Sequence, residues 1–348
     1  MSPKIQILET FPNISKIQHV EDDGCVWGTS GRKVFRNEGG KWTLFSKFPF
    51  NFPKDLFIFS RLATRALRLN KTNIFVNSNK KVIGIQGAKV YELKIGNPAK
   101  FLFEIQGDSV LHGSFAEDEA GWTYFGEYFR NPARGEVRVW RLSPDLSGWE
   151  IAYQFPEKSI RHVHGVFQDP FDKSALWLAV GDFKDECYIY KTNDRFGTLE
   201  RYGDGSQIWR AVKLFFTEKT ISWITDSNIG RNYACRMDRD SGELEKGQEI
   251  DAPGWYGTQT MEGDFFTFTT VEPGDGVLTD HSSILYSKDA FHWDKIHSFK
   301  KDPWRPMKIF KYGVIFCPSG MMSSESLYLS GEALTRFDGK SMRIELNK

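Results

Sequence analysis

Short apolar runs, alternating or β-branched and bounded by Gly, Asn, Asp and Pro, recur along the whole chain. Windows with apolar residues at i, i+3, i+4 and i+7 over more than two turns are few, so helices are expected to be scarce. The clearest stretch is 161–182, RHVHGVFQDPFDKSALWLAVGD, which reads as two antiparallel strands joined by a polar turn at Asp169-Pro170. Its first half recurs as LHGSF at 111–115 and, with Arg for His, as WRAVKLF at 209–215. Its second half recurs as WTYFGE at 122–127 and ISWITD at 221–226, each copy ending on an acidic residue.

Phasing the runs gives seven units, at about 14–50, 62–106, 110–156, 160–203, 208–251, 254–299 and 304–346. Each unit holds four strand-like runs, which is the repeat of a β-propeller blade. The expected fold is all-β: one domain over residues 1–348, a seven-bladed β-propeller, with six blades if the first two units merge. Residues 4–10 have the shape of an outer strand with no blade before them. They are expected to pair with the last blade and close the ring, which removes exposed sheet edges.

The composition fits this reading. Aromatic residues make up 15% of the chain, with 11 Trp and 29 Phe, which suits stacked sheets better than helical bundles. Lys+Arg number 46 against 45 Asp+Glu, so no global field recruits nucleic acid or an anionic membrane. Cys25, Cys187, Cys235 and Cys317 are scattered without metal-ligand spacing and read as reduced core thiols. The first fifteen residues hold no apolar signal segment, and no run reaches the length of a membrane span. A soluble, cytoplasmic protein is expected.

Ser143-Pro-Asp145-Leu-Ser-Gly-Trp149 and Ser287-Lys-Asp289-Ala-Phe-His-Trp293 share the pattern S-x-D-x-x-x-W. A degenerate third copy is Thr192-Asn-Asp194. The pattern resembles the Asp-box of BNR-repeat propellers, the superfamily that includes sialidases and several polysaccharide-degrading enzymes. The resemblance implies a turn between the third and fourth strands of a blade, on the face away from the active site. It assigns Asp145 and Asp289 to the fold rather than to catalysis. A true sialidase is disfavoured, because Phe11-Pro-Asn-Ile-Ser stands where that family carries Arg-Ile-Pro.

In a propeller the innermost strands start on the face where the second strands end, so both sets of ends meet around one funnel. Aligned first-strand starts are Lys16, Arg65, His112, His164, Arg210, Tyr256 and Arg305, with Trp209, Trp255 and Trp304 preceding the last three. Second strands close on Glu127, Asp182, Asp226 and Glu272, with Ser30, Asn77 or Ser78, and Ser319 at the equivalent places in units one, two and seven. A structural inner strand would show Ser, Thr, Val or Gly at its start, so the run of cations, His and Tyr marks a ligand site. Strand ends are polar in any β protein, however, and acidic residues there often only begin a turn.

Arg65, Arg210 and Arg305 suit a carboxylate or sulfate, and Trp209, Trp255, Trp304 and Tyr256 suit sugar rings, with Lys16 and Glu272 as further binding residues. An acidic, uronic-acid-containing oligo- or polysaccharide is the expected partner. β-Elimination would draw its proton carriers from His112, His164 and Tyr256, a set that resembles the His/Tyr/Arg chemistry of seven-bladed polysaccharide lyases. Glycoside hydrolysis would use Glu127 with Asp182 or Asp226. A non-catalytic glycan-binding or scaffold propeller would use the same aromatic and Arg positions. No cofactor is expected. The one conceivable metal set is His162, His164 and Asp182, disfavoured because the spacing places no third neutral ligand.

Overall fold

The structure, a computed structural model, describes residues 3–69, 71–302 and 306–347. Among the described residues the strands form seven antiparallel sheets arranged as a ring, a seven-bladed β-propeller. Innermost strands are Lys16–Val20, Thr72–Val76, Ala116–Glu117, Val163–Gln168, Phe215–Phe216, Gly254–Gln259 and Val314–Phe316. No helix among the described residues is long and apolar enough to cross a membrane.

Burial explains the uneven hydrophobic pattern along the chain. Second strands such as Leu176–Val180 and Phe265–Thr269 are covered on both faces by neighbouring blades and are buried throughout. Outer strands such as Trp149–Phe155 face solvent over most of their length. The core is a set of layers, each shared by adjoining blades. Phe75 and Phe103 of blade two meet Phe115 and Phe125 of blade three. Trp177 and Ile189 of blade four meet Trp223 and Met237 of blade five. One layer joins Phe266 of blade six, Leu329 of blade seven and Ile17 of blade one, and so closes the circle.

Two strand pairings cross the ends of the chain. Lys4–Phe11 pairs antiparallel with Ser341–Asn347, from Lys4↔Asn347 to Phe11↔Ser341, and forms the outer strand of blade seven. Ser319–Gly320 leaves blade seven and pairs in parallel with Lys16–Val20 of blade one. Ser319 therefore does not close a second strand, as its spacing suggested. Its hydroxyl lies 2.8 Å from His19 Nδ1.

Blades two and seven depart from the expected phase. Residues 62–69 are not an inner strand: Arg61–Ala66 is a short helix, capped by Ser60 Oγ accepting from Ala63 N at 3.3 Å. The inner strand of blade two is Thr72–Val76, so Asn77 and Ser78 follow a first strand and lie on the opposite face, where Asn77 Nδ2 donates to Pro144 O. In blade seven, Met307–Phe310 is a single helical turn ahead of the inner strand. Trp304 and Arg305 lie outside the described residues.

The three S/T-x-D segments are turns between third and fourth strands. Asp145 Oδ1 accepts from Ser147 N, Asp194 Oδ1 from Thr198 N, and Asp289 Oδ1 from Phe291 N and His292 N. Such bonds hold a tight turn without help from neighbouring strands. Trp293 is buried against Phe215, and Trp149 stacks on Phe103 of the preceding blade. The four cysteines are buried and unpaired.

Candidate functional site

A cavity of about 660 Å³ occupies the ring axis at the face where inner strands begin. Lys16, His112, Asp182, Arg210, Asp226, Trp255, Tyr256 and Glu272 line it. Spacing along the chain brings these to one cavity because each lies in or within a few residues of an inner-strand start or a second-strand end. Tyr128, Arg161, Lys311 and Glu332 also line the cavity. Tyr128 is one residue past the expected second-strand end, and Lys311 and Glu332 belong to the blade whose phase shifts.

Other expected site residues are elsewhere. Arg65 is fully buried in the Arg61–Ala66 helix, where Nη1 pairs with Asp302 at 2.6 Å and Nη2 donates to Phe310 O at 2.6 Å. Glu127 is also fully buried and turns away from the axis, between blades two and three. Its carboxylate accepts from Gln106 N, Arg138 N and the Trp140 indole at 2.9–3.1 Å, which leaves it no free face for chemistry. Trp209 lies in the one-turn helix Gln207–Trp209, which directs its ring between blades four and five against Trp223. His164 sits behind the cavity wall, bonded to His162 and Asp182.

One pole of the cavity is built on Arg210, whose Nη2 is 3.1 Å from both Asp182 Oδ1 and Asp226 Oδ2. Arg161 Nη1 holds Asp182 Oδ2 at 2.6 Å. Gly181, just before Asp182, lets the chain pass close to the Glu186 carbonyl. Its φ is +81°, and a Cβ there would run into the Glu186 carbonyl. Burial, and then the Asp226 charge beside it, push the Glu272 carboxyl up to about 8. Burial also raises Asp226 in spite of Arg210. These neighbouring carboxyls therefore do not both ionise at neutral pH. The Tyr128 ring lies 4.1 Å from that of His162, and burial followed by Asp182 and Asp226 holds its phenol well above the ordinary range.

The opposite pole is basic. Lys311 pairs with Glu332 at 3.3 Å, and Glu332 also accepts from Arg61 Nη2 at 2.7 Å. Among the described residues Lys16 forms no ion pair; its Nζ lies 3.8 Å from the centre of the Phe316 ring. Burial, and then the Lys311 charge, lower its pKa to about 7. His112 Nε2 lies 3.1 Å from Ile17 O and must carry the proton, because a carbonyl only accepts. Nδ1 is then a bare lone pair. Burial, followed by the Lys16 charge, keeps this imidazole well below its ordinary pKa. Tyr256 packs edge-on against it at 5.9 Å.

Lys16 carries a pH signature. Its folded pKa of about 7 lies below the ordinary lysine value of 10.5, so the folded chain binds fewer protons between these values and stability rises with pH there. The cost of burying the amine is fully present below pH 7 and fades as pH approaches 10.5. Lys16→Met is expected to raise the melting temperature at pH 6 and to leave it unchanged near pH 10.5. Equal shifts at both values in thermal scans would contradict the assignment.

No protein-family model matches the chain, and no curated protein does. Among solved structures, an oligogalacturonate lyase from Vibrio parahaemolyticus is similar with a TM-score of 0.54 at 7% identity, over 100% of this chain and 97% of that one. A gluconolactonase from Xanthomonas campestris gives a TM-score of 0.44 at 14% identity, over 77% of this chain and 92% of its own. At these identities the likeness is one of fold. The class defined by fold and site together is a seven-bladed β-propeller with a two-pole axial cavity.

Proposed function

We propose that the axial cavity binds an acidic, uronic-acid-containing saccharide and cleaves it by β-elimination. The observation that carries this reading is the basic pole: Lys16 faces the cavity with no ion-pair partner among the described residues, next to Lys311. A uronate carboxylate placed there restores the Lys16 charge and is neutralised in turn. That neutralisation stabilises the carbanion-like transition state formed when the proton at C5 leaves. His112, with its bare Nδ1, takes that proton, and Tyr256 beside it protonates the departing glycosidic oxygen. Trp255 and Tyr256 supply the stacking surface for sugar rings. Hydrolysis by paired carboxylates has less support, because Glu127 is consumed by the fold and Asp182 by Arg161 and Arg210.

The test is incubation with a panel of uronic-acid-containing glycans, following absorbance near 235 nm and new reducing ends in parallel. A lyase gives both signals. His112→Ala is then expected to lower turnover by at least about 100-fold, and Lys16→Met to weaken substrate binding. Reducing ends without absorbance would overturn elimination in favour of hydrolysis. Binding with neither signal would make this a glycan-binding propeller.

A further inference from the structure

His162 and His164 flank Val163 where the chain enters blade four, and a bulge in the register at His164 leaves their ring centres 4.9 Å apart. His162 Nδ1 lies 2.9 Å from Phe129 O, and His164 Nδ1 lies 2.7 Å from Ala211 O. Carbonyl oxygens only accept, so both Nδ1 atoms carry hydrogen, and a neutral ring then presents a bare lone pair at Nε2. The two Nε2 atoms are 3.0 Å apart. They lie 3.3 and 3.0 Å from one and the same oxygen, Asp182 Oδ1. Three electron pairs thus converge on one point inside a buried site, which is repulsive unless a positive centre sits among them. One proton can serve only one pair at a time. A metal ion serves all three at once.

The size of the triangle agrees. Adjacent positions of an octahedron with bonds of about 2.1 Å are about 3.0 Å apart, whereas tetrahedral positions are about 3.4 Å apart. Sides of 3.0, 3.0 and 3.3 Å match one face of an octahedron. The outer contacts are also those of a metal centre: each imidazole gives its other N–H to a carbonyl, and Arg161 grips Asp182 Oδ2, leaving Oδ1 turned inward. Arg210 Nη2 shares Oδ1 at 3.1 Å, and Asp226 offsets that guanidinium's charge.

We infer that His162 Nε2, His164 Nε2 and Asp182 Oδ1 hold a divalent transition-metal ion whose remaining positions open into the axial cavity. Two imidazoles select a zinc-, manganese- or iron-type ion over calcium or magnesium, which take oxygen ligands. Three protein ligands and a cavity-facing side define a site that accepts an exogenous oxygen, such as a carboxylate or hydroxyl. The inference does not depend on the elimination reading, since it rests on ring tautomers and distances alone.

The full-length protein, stripped with a chelator and dialysed, is titrated separately with zinc chloride and manganese chloride by calorimetry. One ion per chain is expected for at least one of the two. His164→Ala and Asp182→Asn should each weaken binding by more than about 100-fold, and His297→Ala, remote from the cluster, should not. No binding by wild type, or undiminished binding by the two variants, would overturn the site. Should the variants fail to fold, ¹⁵N spectra of histidine-labelled wild type decide. Nε2 resonances of two rings that move on adding metal, with Nδ1 still protonated, support the site. Rings doubly protonated and indifferent to metal mean that a proton occupies the position, and overturn it.

Discussion

Arg65→Ala is expected to lower the free energy of unfolding by about 3–5 kcal/mol, the range for removing one partner of a buried ion pair. Arg65 is fully buried, and its guanidinium is spent on Asp302 and on Phe310 O. These contacts tie the helix inserted between blades one and two to the segment between blades six and seven. Arg61, on the same helix, reaches Glu332 and Asp338 at 2.7 and 2.6 Å, so the insert clamps the seam that closes the ring. Denaturant unfolding measures the loss. Arg65→Met combined with Asp302→Leu should recover only part of it, because Asp302 also pairs with Lys301, whose buried amine then loses that carboxylate. A wild-type midpoint for Arg65→Ala would show that the clamp contributes nothing.

Deleting residues 1–11 is expected to cost on the order of 5 kcal/mol, from the lost backbone ladder at about 0.5–1.5 kcal/mol per bond and the lost burial of Phe11. The deletion also bares Ser341–Asn347 as an edge strand, which can pair with a second chain. Chromatography should show association of the shortened protein, and unfolding should begin at lower denaturant. A synthetic peptide of residues 1–12 supplied in trans should reverse both effects. A monomer of undiminished stability would mean that the remaining blades hold the ring closed without this strand.

The two results concern the same seam and separate by readout. Loss of Arg65 weakens a side-chain clamp while every sheet keeps its strands, so association is not expected. Loss of the first strand leaves the clamp intact and opens an edge.

Much of the architecture was legible along the chain. Seven recurrences of short apolar runs, and the unpartnered strand at residues 4–10, were enough to read a closed propeller, because blade packing imposes the same burial on every repeat. The regular phase of blades three to six also placed His112, Asp182, Arg210, Asp226, Tyr256 and Glu272 at one mouth. Spacing failed where a blade carried an insert. Arg65 aligned with its neighbours by count, yet a helix had replaced the strand there, and the same slip hid Lys311 and Glu332. It also failed where direction mattered more than position. Glu127 directly follows its second strand and Trp209 ends a one-turn helix ahead of its inner strand, and both turn into the core, since backbone N–H groups and ring packing claimed them.

What the sequence alone determined is the closed ring and the end of it at which polar strand ends gather, since both follow from periodicity. What only the tertiary structure decided is which side chains face the axis and in what chemical state. His162 and His164 were visible as a pair, but nothing in their spacing told that Phe129 and Ala211 carbonyls would claim both Nδ1 protons and leave the two Nε2 lone pairs facing Asp182. Those carbonyls come from neighbouring segments of the ring, and the state of a titratable side chain depends on what closes around it.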